Sequence, residues 1–255
     1  MSSNAFAMLP SAWAREIRPV TAEDVPGLAF SGVKVSYDEH KNASVHGALS
    51  ALKWSEHKGA GPAAILALFA LAIISNKAQM DAGLRSNNVV IASYTQILNV
   101  APMARATLSK ALQLLEKVGA IGRQAQGKVV VYTLNGILTP GKWCAFPQGY
   151  LLAGYDHLNG LKFFLDHMRR PATLHALKLY MLLLAQRTSR TNIAIISYST
   201  IEEYTGMRRE DISRAVSLLI SERLCTLVGD DVMPRRKGDP MHNRYAITGL
   251  RAMGS

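Results

Sequence analysis

The chain contains two long, strongly apolar stretches, and each is followed further along by a segment in which apolar and polar residues recur with helical spacing. These strongly apolar stretches occupy residues 62–75 and 174–186 and predict two buried helices. After a polar loop, each stretch is followed by a short β-branched run, at 89–91 or 193–196, which predicts a strand. The same two kinds of element therefore recur in the same order.

An amphipathic helix is predicted downstream of each strand, because apolar residues recur at i, i+3, i+4 and i+7. The buried stripes are Leu108, Ala111, Leu112, Leu115 and Val118 in one helix, and Ile212, Ala215, Val216 and Leu219 in the other. Two short strands follow each helix, as a compact hairpin at 121–134 and as a pair at 225–228 and 245–248 around a long loop. The pattern predicts a mainly α fold with small β-wings (α+β).

The two segments are copies of one another. Residues 93–115 align without a gap with residues 197–219, at a constant offset of 104 residues from Ser93 to Ser197. The identical pairs are Ser93/Ser197, Tyr94/Tyr198, Ile97/Ile201, Met103/Met207, Arg105/Arg209, Ser109/Ser213, Ala111/Ala215, Leu114/Leu218 and Leu115/Leu219. Chance matches among apolar residues do not place two serines, a tyrosine and an arginine in one frame, so we infer an internal duplication.

Each copy begins with a serine that is expected to cap a short helix. Gln96 follows Ser93 by three residues and completes a capping box, whereas Thr200 stands at the matching place after Ser197. A tight turn then separates the short helix from the amphipathic one.

The order helix, strand, helix, turn, helix and two-stranded wing accompanies the motif Ser-Tyr-x-x-Ile-x-x-x-x-Gly-Met-x-Arg-x-x-Ile-Ser-Arg-Ala-Val-x-x-Leu at residues 197–219. Together they resemble the winged helix-turn-helix signature of bacterial and phage DNA-binding proteins, over residues 62–136 and 172–250. The tandem arrangement also resembles, in architecture, the paired winged helices of plasmid replication initiators. The resemblance implies two winged-helix modules, here named module 1 (61–137) and module 2 (172–251).

Charge and composition agree with a nucleic-acid partner. The chain has 29 Lys and Arg against 18 Asp and Glu, a formal net charge of +11 that attracts polyanions. Its two cysteines, Cys144 and Cys225, lack the spacing of a zinc site or a disulfide framework. The apolar run at 63–74 falls short of the ~20 residues that cross a bilayer, and no signal peptide is visible. We expect a soluble cytoplasmic protein, associated with nucleoid or plasmid.

Signatures of enzymes are missing from the sequence. It contains no GxxxxGK[ST] phosphate loop, and its seven histidines form no HxH or HExxH pattern. Residues 58–62 are interpreted as a glycine-rich approach to a helix, and the two Asp-His pairs at 156–157 and 166–167 as surface residues. We therefore expect no enzyme, no catalytic residue, no cofactor and no metal site.

The residues expected to contact DNA lie at the start of each second helix and in each wing, since a helix docked in the major groove presents its N-terminal residues to the bases. In module 1 they are Arg105, Thr107, Ser109 and Lys110, with Arg123 and Lys128 in the hairpin. In module 2 they are Arg208, Arg209, Glu210, Ser213 and Arg214, with Arg235, Arg236, Lys237 and Arg244 in the wing. Module 2 is more basic and is expected to contribute most of the affinity for DNA. Module 1 is expected to read bases weakly, to bind another protein chain, or to do both.

Two segments lie outside the modules. The N-terminal extension (1–60) is predicted to hold a strand near 30–37 and an amphipathic helix over 42–57. The connecting segment (138–171) is predicted to hold a linker helix over 160–170, and its Trp143, Phe146 and Tyr150 are interpreted as core residues. Either segment packs on its own module or builds a homodimer interface.

Three functions remain open on the sequence. A plasmid or phage replication initiator is favoured, because two unlike modules suit an asymmetric, repeated origin site. A transcriptional regulator (repressor) is the alternative, although most such proteins read a palindrome with one module per chain. A partition or conjugation DNA-binding factor is the third. The expected partners are double-stranded DNA, a second copy of the chain, and the replication or transcription machinery, but no membrane.

Overall fold

Two buried helices, one from each module, form the centre of the molecule. The computed structural model describes residues 6–11, 14, 17–19, 34–36, 44–46, 48–81, 88–126, 129–135, 143–229 and 242–251. Helices and small sheets are combined in a mixed α/β architecture that is compatible with the predicted α+β class. The strand predicted near 30–37 is present at Lys34–Ser36, and the remaining residues of that range, like about half of the N-terminal extension, lie outside the described residues.

Module 1 follows the predicted order of elements. In chain order these are helix α3 (Ala60–Asp81), strand β5 (Val89–Ala92), helices α4 (Tyr94–Val100) and α5 (Arg105–Lys117), and strands β6 (Ile121–Gln126) and β7 (Val129–Leu134). The strands pair antiparallel in the order β5-β7-β6, so the first strand joins the wing hairpin in one sheet.

Module 2 repeats this arrangement. Its elements are helix α8 (Pro171–Gln186), strand β9 (Ile193–Ile196), helices α9 (Tyr198–Thr205) and α10 (Arg209–Ser221), and strands β10 (Cys225–Leu227) and β11 (Asn243–Ile247). The sheet order β10-β11-β9 is the same as in module 1. The strand before the helix pair and the second helix begin 104 residues after their counterparts, so the offset found in the sequence holds in three dimensions.

The turns between the paired helices differ. In module 2, Gly206 ends α9 in the left-handed region with φ of 65°, which glycine adopts without steric cost. In module 1, Ala101 follows α4 with φ of −123° and Pro102 comes next. Both turns deliver the chain to the second helix after a similar number of residues.

The core is continuous between the modules, because α3 and α8 pack against each other. The Phe69 ring lies 4.5 Å from that of Phe146 and 6.4 Å from that of Tyr180, edge to face with the latter. Helix α3 is longer than the apolar run predicted and is long and apolar enough to cross a membrane, but 78% of its window Ala60–Lys77 is buried inside the protein. Burial on all sides explains why this helix shows no polar face.

The N-terminal extension is built differently from the prediction. Strand β1 (Ala7–Pro10) pairs with β8 (Trp143–Phe146) of the connecting segment, and β2 (Ile17–Pro19), β4 (Ser44–His46) and β3 (Lys34–Ser36) form a small sheet.

The amphipathic helix expected over 42–57 is replaced by strand β4 and two short helices, α1 (Ala48–Ala51) and α2 (Trp54–His57). The break falls at Leu52, whose carbonyl accepts a hydrogen bond from Lys178 of α8 instead of from the next helical turn. Leu49 and Leu52 are nonetheless fully buried, as their spacing indicated.

The connecting segment docks on both modules. It contains helix α6 (Gln148–Leu152), a single 3-10 turn (Asn159–Leu161) and helix α7 (Lys162–Asp166), which is shorter than the predicted linker helix. The Leu158 amide donates to the carbonyl of Val100 in module 1, and the Tyr150 hydroxyl donates to the carbonyl of Arg223 in module 2. Phe146 is buried as predicted, while Trp143 stacks on Phe6 and is 37% exposed.

Candidate nucleic-acid interface

Serine caps fix the start of the helix that precedes each candidate reading helix. The Ser93 side chain accepts a hydrogen bond from the Gln96 amide at 3.3 Å, and the Gln96 side chain accepts from the Ser93 amide at 2.8 Å, completing the predicted capping box. Ser197 accepts from the Thr200 amide at 3.0 Å without a reciprocal bond. These caps satisfy amide groups that a helix start leaves unpaired.

A cation–aromatic contact then joins the two helices of each pair. The guanidinium carbon of Arg105 lies 5.3 Å from the centre of the Tyr94 ring, and that of Arg209 lies 5.9 Å from the centre of the Tyr198 ring. All four residues belong to the identical positions of the repeat. The shared arginine thus has a role in the fold, in addition to its exposure at the start of α5 and α10.

The outer face of α10 is open and largely basic. All five candidate residues of this helix are exposed: Arg208, Arg209, Glu210, Ser213 and Arg214. Arg208 stands just before the first turn, and Arg214 is 71% exposed one turn later. Glu210 and Asp211 occupy the first turn, where carboxylates complement the positive end of the helix dipole.

Asp211 has further partners on the flank of α10 that faces α8. One of its carboxylate oxygens lies 3.7 Å from a guanidinium nitrogen of Arg214 and 3.5 Å from Nδ1 of His175. Burial lowers the pKa of His175, and Asp211 opposes this effect only in part. The imidazole is therefore neutral near pH 7, and the carboxylate mainly compensates the arginine.

Candidate residues of module 1 occupy two different faces of α5. Arg105 is exposed and Ser109 is half-buried. Thr107 and Lys110, in contrast, line a cavity between α5, the approach to α3 and the end of the connecting segment. Module 1 therefore offers fewer basic groups on the outer face of its second helix than module 2 does.

The wing residues are placed unevenly. Arg123 lies in β6, is 24% exposed, and is 3.7 Å from a carboxylate oxygen of Glu116. Arg244 lies in β11 and is 6% exposed, so its side chain is part of the interior of module 2. Lys128, Arg235, Arg236 and Lys237 lie outside the described residues.

A buried lysine supports the end of α9. Lys178 is 3% exposed, and its amine donates to the carbonyls of Leu52 and Thr205. Thr205 is the last residue of α9, so this bond holds the turn that leads to α10. Burial, assisted by Lys53, lowers the pKa of Lys178 to about 7.

The sequence did not single out His175 or Lys178. Of the cavity residues it named Thr107 and Lys110, but as DNA contacts. The one signal for a difference at this place was that Thr107 and Asp211 stand at the same position of the repeat. Within the described part of the chain, no group of three His, Cys, Asp or Glu side chains is arranged to hold a metal ion. Of the two Asp-His pairs, Asp166 bonds Lys162 at 2.9 Å, and Asp156 is almost fully exposed, 3.6 Å from Lys77.

No protein-family model matches the chain, and no curated protein is significantly similar to it.

Proposed function

We propose that this chain binds double-stranded DNA in a sequence-specific manner through two winged helix-turn-helix modules, and that it is a plasmid or phage replication initiator. The proposal is supported by the recurrence of one element order and one sheet order in both modules. In such modules the second helix of the pair enters the major groove, which is about 12 Å wide and admits a helix.

The observation that carries the proposal is the exposed face of α10. Arg208, Arg209 and Arg214 project from a helix start that the rest of module 2 leaves open. Arginine binds guanine through two hydrogen bonds and phosphate through charge. Glu210 and Ser213 on the same face add hydrogen-bonding groups of a different kind, which suits recognition of a defined sequence.

The inequality of the modules supports initiation over repression. The start of α10 bears three exposed arginines, Arg208, Arg209 and Arg214, whereas α5 has Ala104, Arg105 and Lys110 at the matching positions and so carries one cation fewer. A chain with two unlike reading helices matches an asymmetric site that recurs as a direct repeat. A palindrome, in contrast, is read by two identical helices related by a twofold axis.

The proposal is tested by footprinting the full chain on the DNA that flanks its own reading frame. We expect protection of direct repeats beside an AT-rich tract, with unpaired thymines detected in that tract by chemical probing. Protection of one palindrome over a promoter, without strand opening, would assign the chain to transcriptional regulation instead. Binding that does not distinguish this DNA from an unrelated duplex would reject sequence-specific recognition.

A further inference from the structure

A cavity of about 570 Å³ lies beside α5. Its walls come from three places in the chain: Trp54 and Lys58 before α3, Thr107 and Lys110 on α5, and Arg169 after α7. The volume falls within the range of about 300–1,000 Å³ that is usual for small-molecule sites. Trp54 is half-buried and gives the cavity an aromatic wall.

The cavity is lined by cations without a matching anion. None of the described lining residues is acidic, and no described carboxylate forms an ion pair with Lys58, Lys110 or Arg169. The nearby Glu56 lies outside the lining, 3.2 Å from the amine of Lys53 and 3.7 Å from Nε2 of His57. Three uncompensated positive charges around one concavity favour an anionic ligand.

Module 2 shows what the same flank looks like when an anion is built in. Asp211 stands at the position of Thr107, and Arg214 stands at the position of Lys110. The Asp211 carboxylate lies 3.7 Å from the Arg214 guanidinium and thus supplies internally the negative charge that module 1 lacks. At this position, therefore, module 1 has a hydroxyl where module 2 has a carboxylate.

The backbone brings the walls of this cavity together. Gly59 lies so close to the connecting segment that an added Cβ would be 3.3 Å from the Met168 carbonyl, which leaves little room for a side chain. Lys58 precedes it with φ of 48° and ψ of −134°, an unusual conformation for a residue other than glycine. Such conformations recur at ligand sites because the surrounding fold has to enforce them.

We propose that this cavity binds a nucleotide by its phosphate, which Lys58, Lys110 and Arg169 surround. The Thr107 hydroxyl donates a hydrogen bond to a phosphate oxygen, and the Trp54 ring provides a surface on which a base can stack. A free nucleoside phosphate and a nucleotide within a DNA strand share this chemistry. The site shares Thr107 and Lys110 with the proposed DNA contacts of α5, whereas Lys58 and Arg169 lie outside both proposed reading helices, so variants of these two residues test the cavity separately from the proposed function.

Isothermal calorimetry on the full chain tests the proposal with three probes: ATP, adenosine, and a short single-stranded oligothymidylate. We expect a nucleotide-bearing probe to bind and adenosine, which has no phosphate, to bind far more weakly. Lys58→Gln/Arg169→Gln is expected to weaken binding at least about tenfold, because charged hydrogen bonds to phosphate are lost. Thr107→Asp, which copies the arrangement of module 2, is expected to abolish it by charge repulsion.

Matched variants separate the cavity from the general positive charge of the chain. Lys117→Ala/Arg190→Ala removes two exposed cations elsewhere, and Gln113→Glu adds a carboxylate at an exposed position of the same helix outside the cavity. Both controls should bind as the wild type does. Binding of ATP would identify a free nucleotide as the ligand, and cavity-dependent binding of the oligonucleotide alone would identify a DNA strand. Failure of both phosphate-bearing probes to bind, or equal loss in cavity and control variants, would overturn the proposal.

Discussion

At the scale of single residues, the repeat retains an arginine in contact with a tyrosine ring in both modules. Arg105 over Tyr94 and Arg209 over Tyr198 have the same geometry, and such exposed contacts contribute about 0.5–1 kcal/mol. The contact with the tyrosine ring is thus sufficient to explain why both modules have an arginine at this position. The charge that distinguishes the modules is Arg208, where module 1 has Ala104.

Replacing both Arg208 and Arg209 by alanine should therefore weaken duplex binding more than Arg105→Ala does. We expect a loss of about 1–3 kcal/mol for each base-contacting arginine removed, measured by fluorescence anisotropy at fixed salt. Arg105→Ala is the matched control, because it removes the same tyrosine contact as Arg209→Ala. Equal losses in the double variant and in Arg105→Ala would contradict the dominance of module 2.

Lys178 makes stability depend on pH. Its pKa in the folded protein is about 7, below the ordinary value of 10.5, because burial disfavours the ammonium form. Between these values the unfolded chain binds a proton that the folded chain does not, so the free energy of unfolding rises with pH, by up to about 1.4 kcal/mol per unit. Below pH 7 Lys178 is protonated in both the folded and the unfolded chain, so it no longer makes the free energy of unfolding depend on pH.

The measurement is urea unfolding of the wild type and Lys178→Met at pH 6.5 and 9. We expect the wild type to gain stability relative to the variant at the higher pH, where a neutral amine still donates to Leu52 and Thr205. Lys117→Met, at an exposed position, should show no such change relative to the wild type. A difference between wild type and Lys178→Met that is independent of pH would mean that the lysine is charged throughout.

At the scale of elements, the caps hold the start of α4 and α9. Ser93 and Gln96 bond each other reciprocally, whereas Ser197 acts without such a partner. The β5-α4 junction thus differs from its counterpart in module 2 in that a side chain accepts a hydrogen bond from the amide of the cap residue itself.

Gln96→Ala is expected to destabilise the protein by about 0.5–1 kcal/mol, because the Ser93 amide loses its acceptor. Ser93→Ala should cost about 1 kcal/mol, within the usual range for a lost cap, and Thr95→Ala, at an exposed neighbouring position, should cost little. Thermal unfolding monitored by circular dichroism provides the comparison. Equal stability of the Gln96→Ala and Thr95→Ala variants would show that the hydrogen bond from the Ser93 amide to Gln96 does not add to the stability provided by the Ser93 side chain.

At the scale of the whole molecule, the modules share one core instead of meeting through a linker. Phe69 of α3 contacts Phe146 of the connecting segment and Tyr180 of α8, and strand β1 pairs with β8 over the same region. Such a shared interior couples the positions of α5 and α10. The distance between α5 and α10 is then set by the fold, and under the proposed function this distance fixes the spacing of the two DNA segments that the helices contact.

Phe69→Ala is expected to lower the free energy of unfolding by about 3–5 kcal/mol, the usual cost of emptying a buried aromatic site. Both the wild type and the variant should unfold in a single transition, seen alike by tryptophan fluorescence and by far-ultraviolet circular dichroism. Tyr155→Ala, at a side chain that is 56% exposed, is the control and should change little. Two separate transitions in the wild type would show that the modules fold independently.

The sequence by itself determined the repeated elements. Hydrophobic spacing predicted α3, α8 and the buried stripes of α5 and α10, and serine preference predicted both caps, because these features depend on residues close together in the chain. What only the tertiary structure decided involves residues far apart. Lys178 donates a hydrogen bond to the Leu52 carbonyl at the break between α1 and α2, and Arg244 is buried in the interior of module 2.

The cavity beside α5 is likewise assembled from Lys58, Lys110 and Arg169, which no local pattern relates. Periodicity reports which face of an element is buried, but not which distant groups meet there.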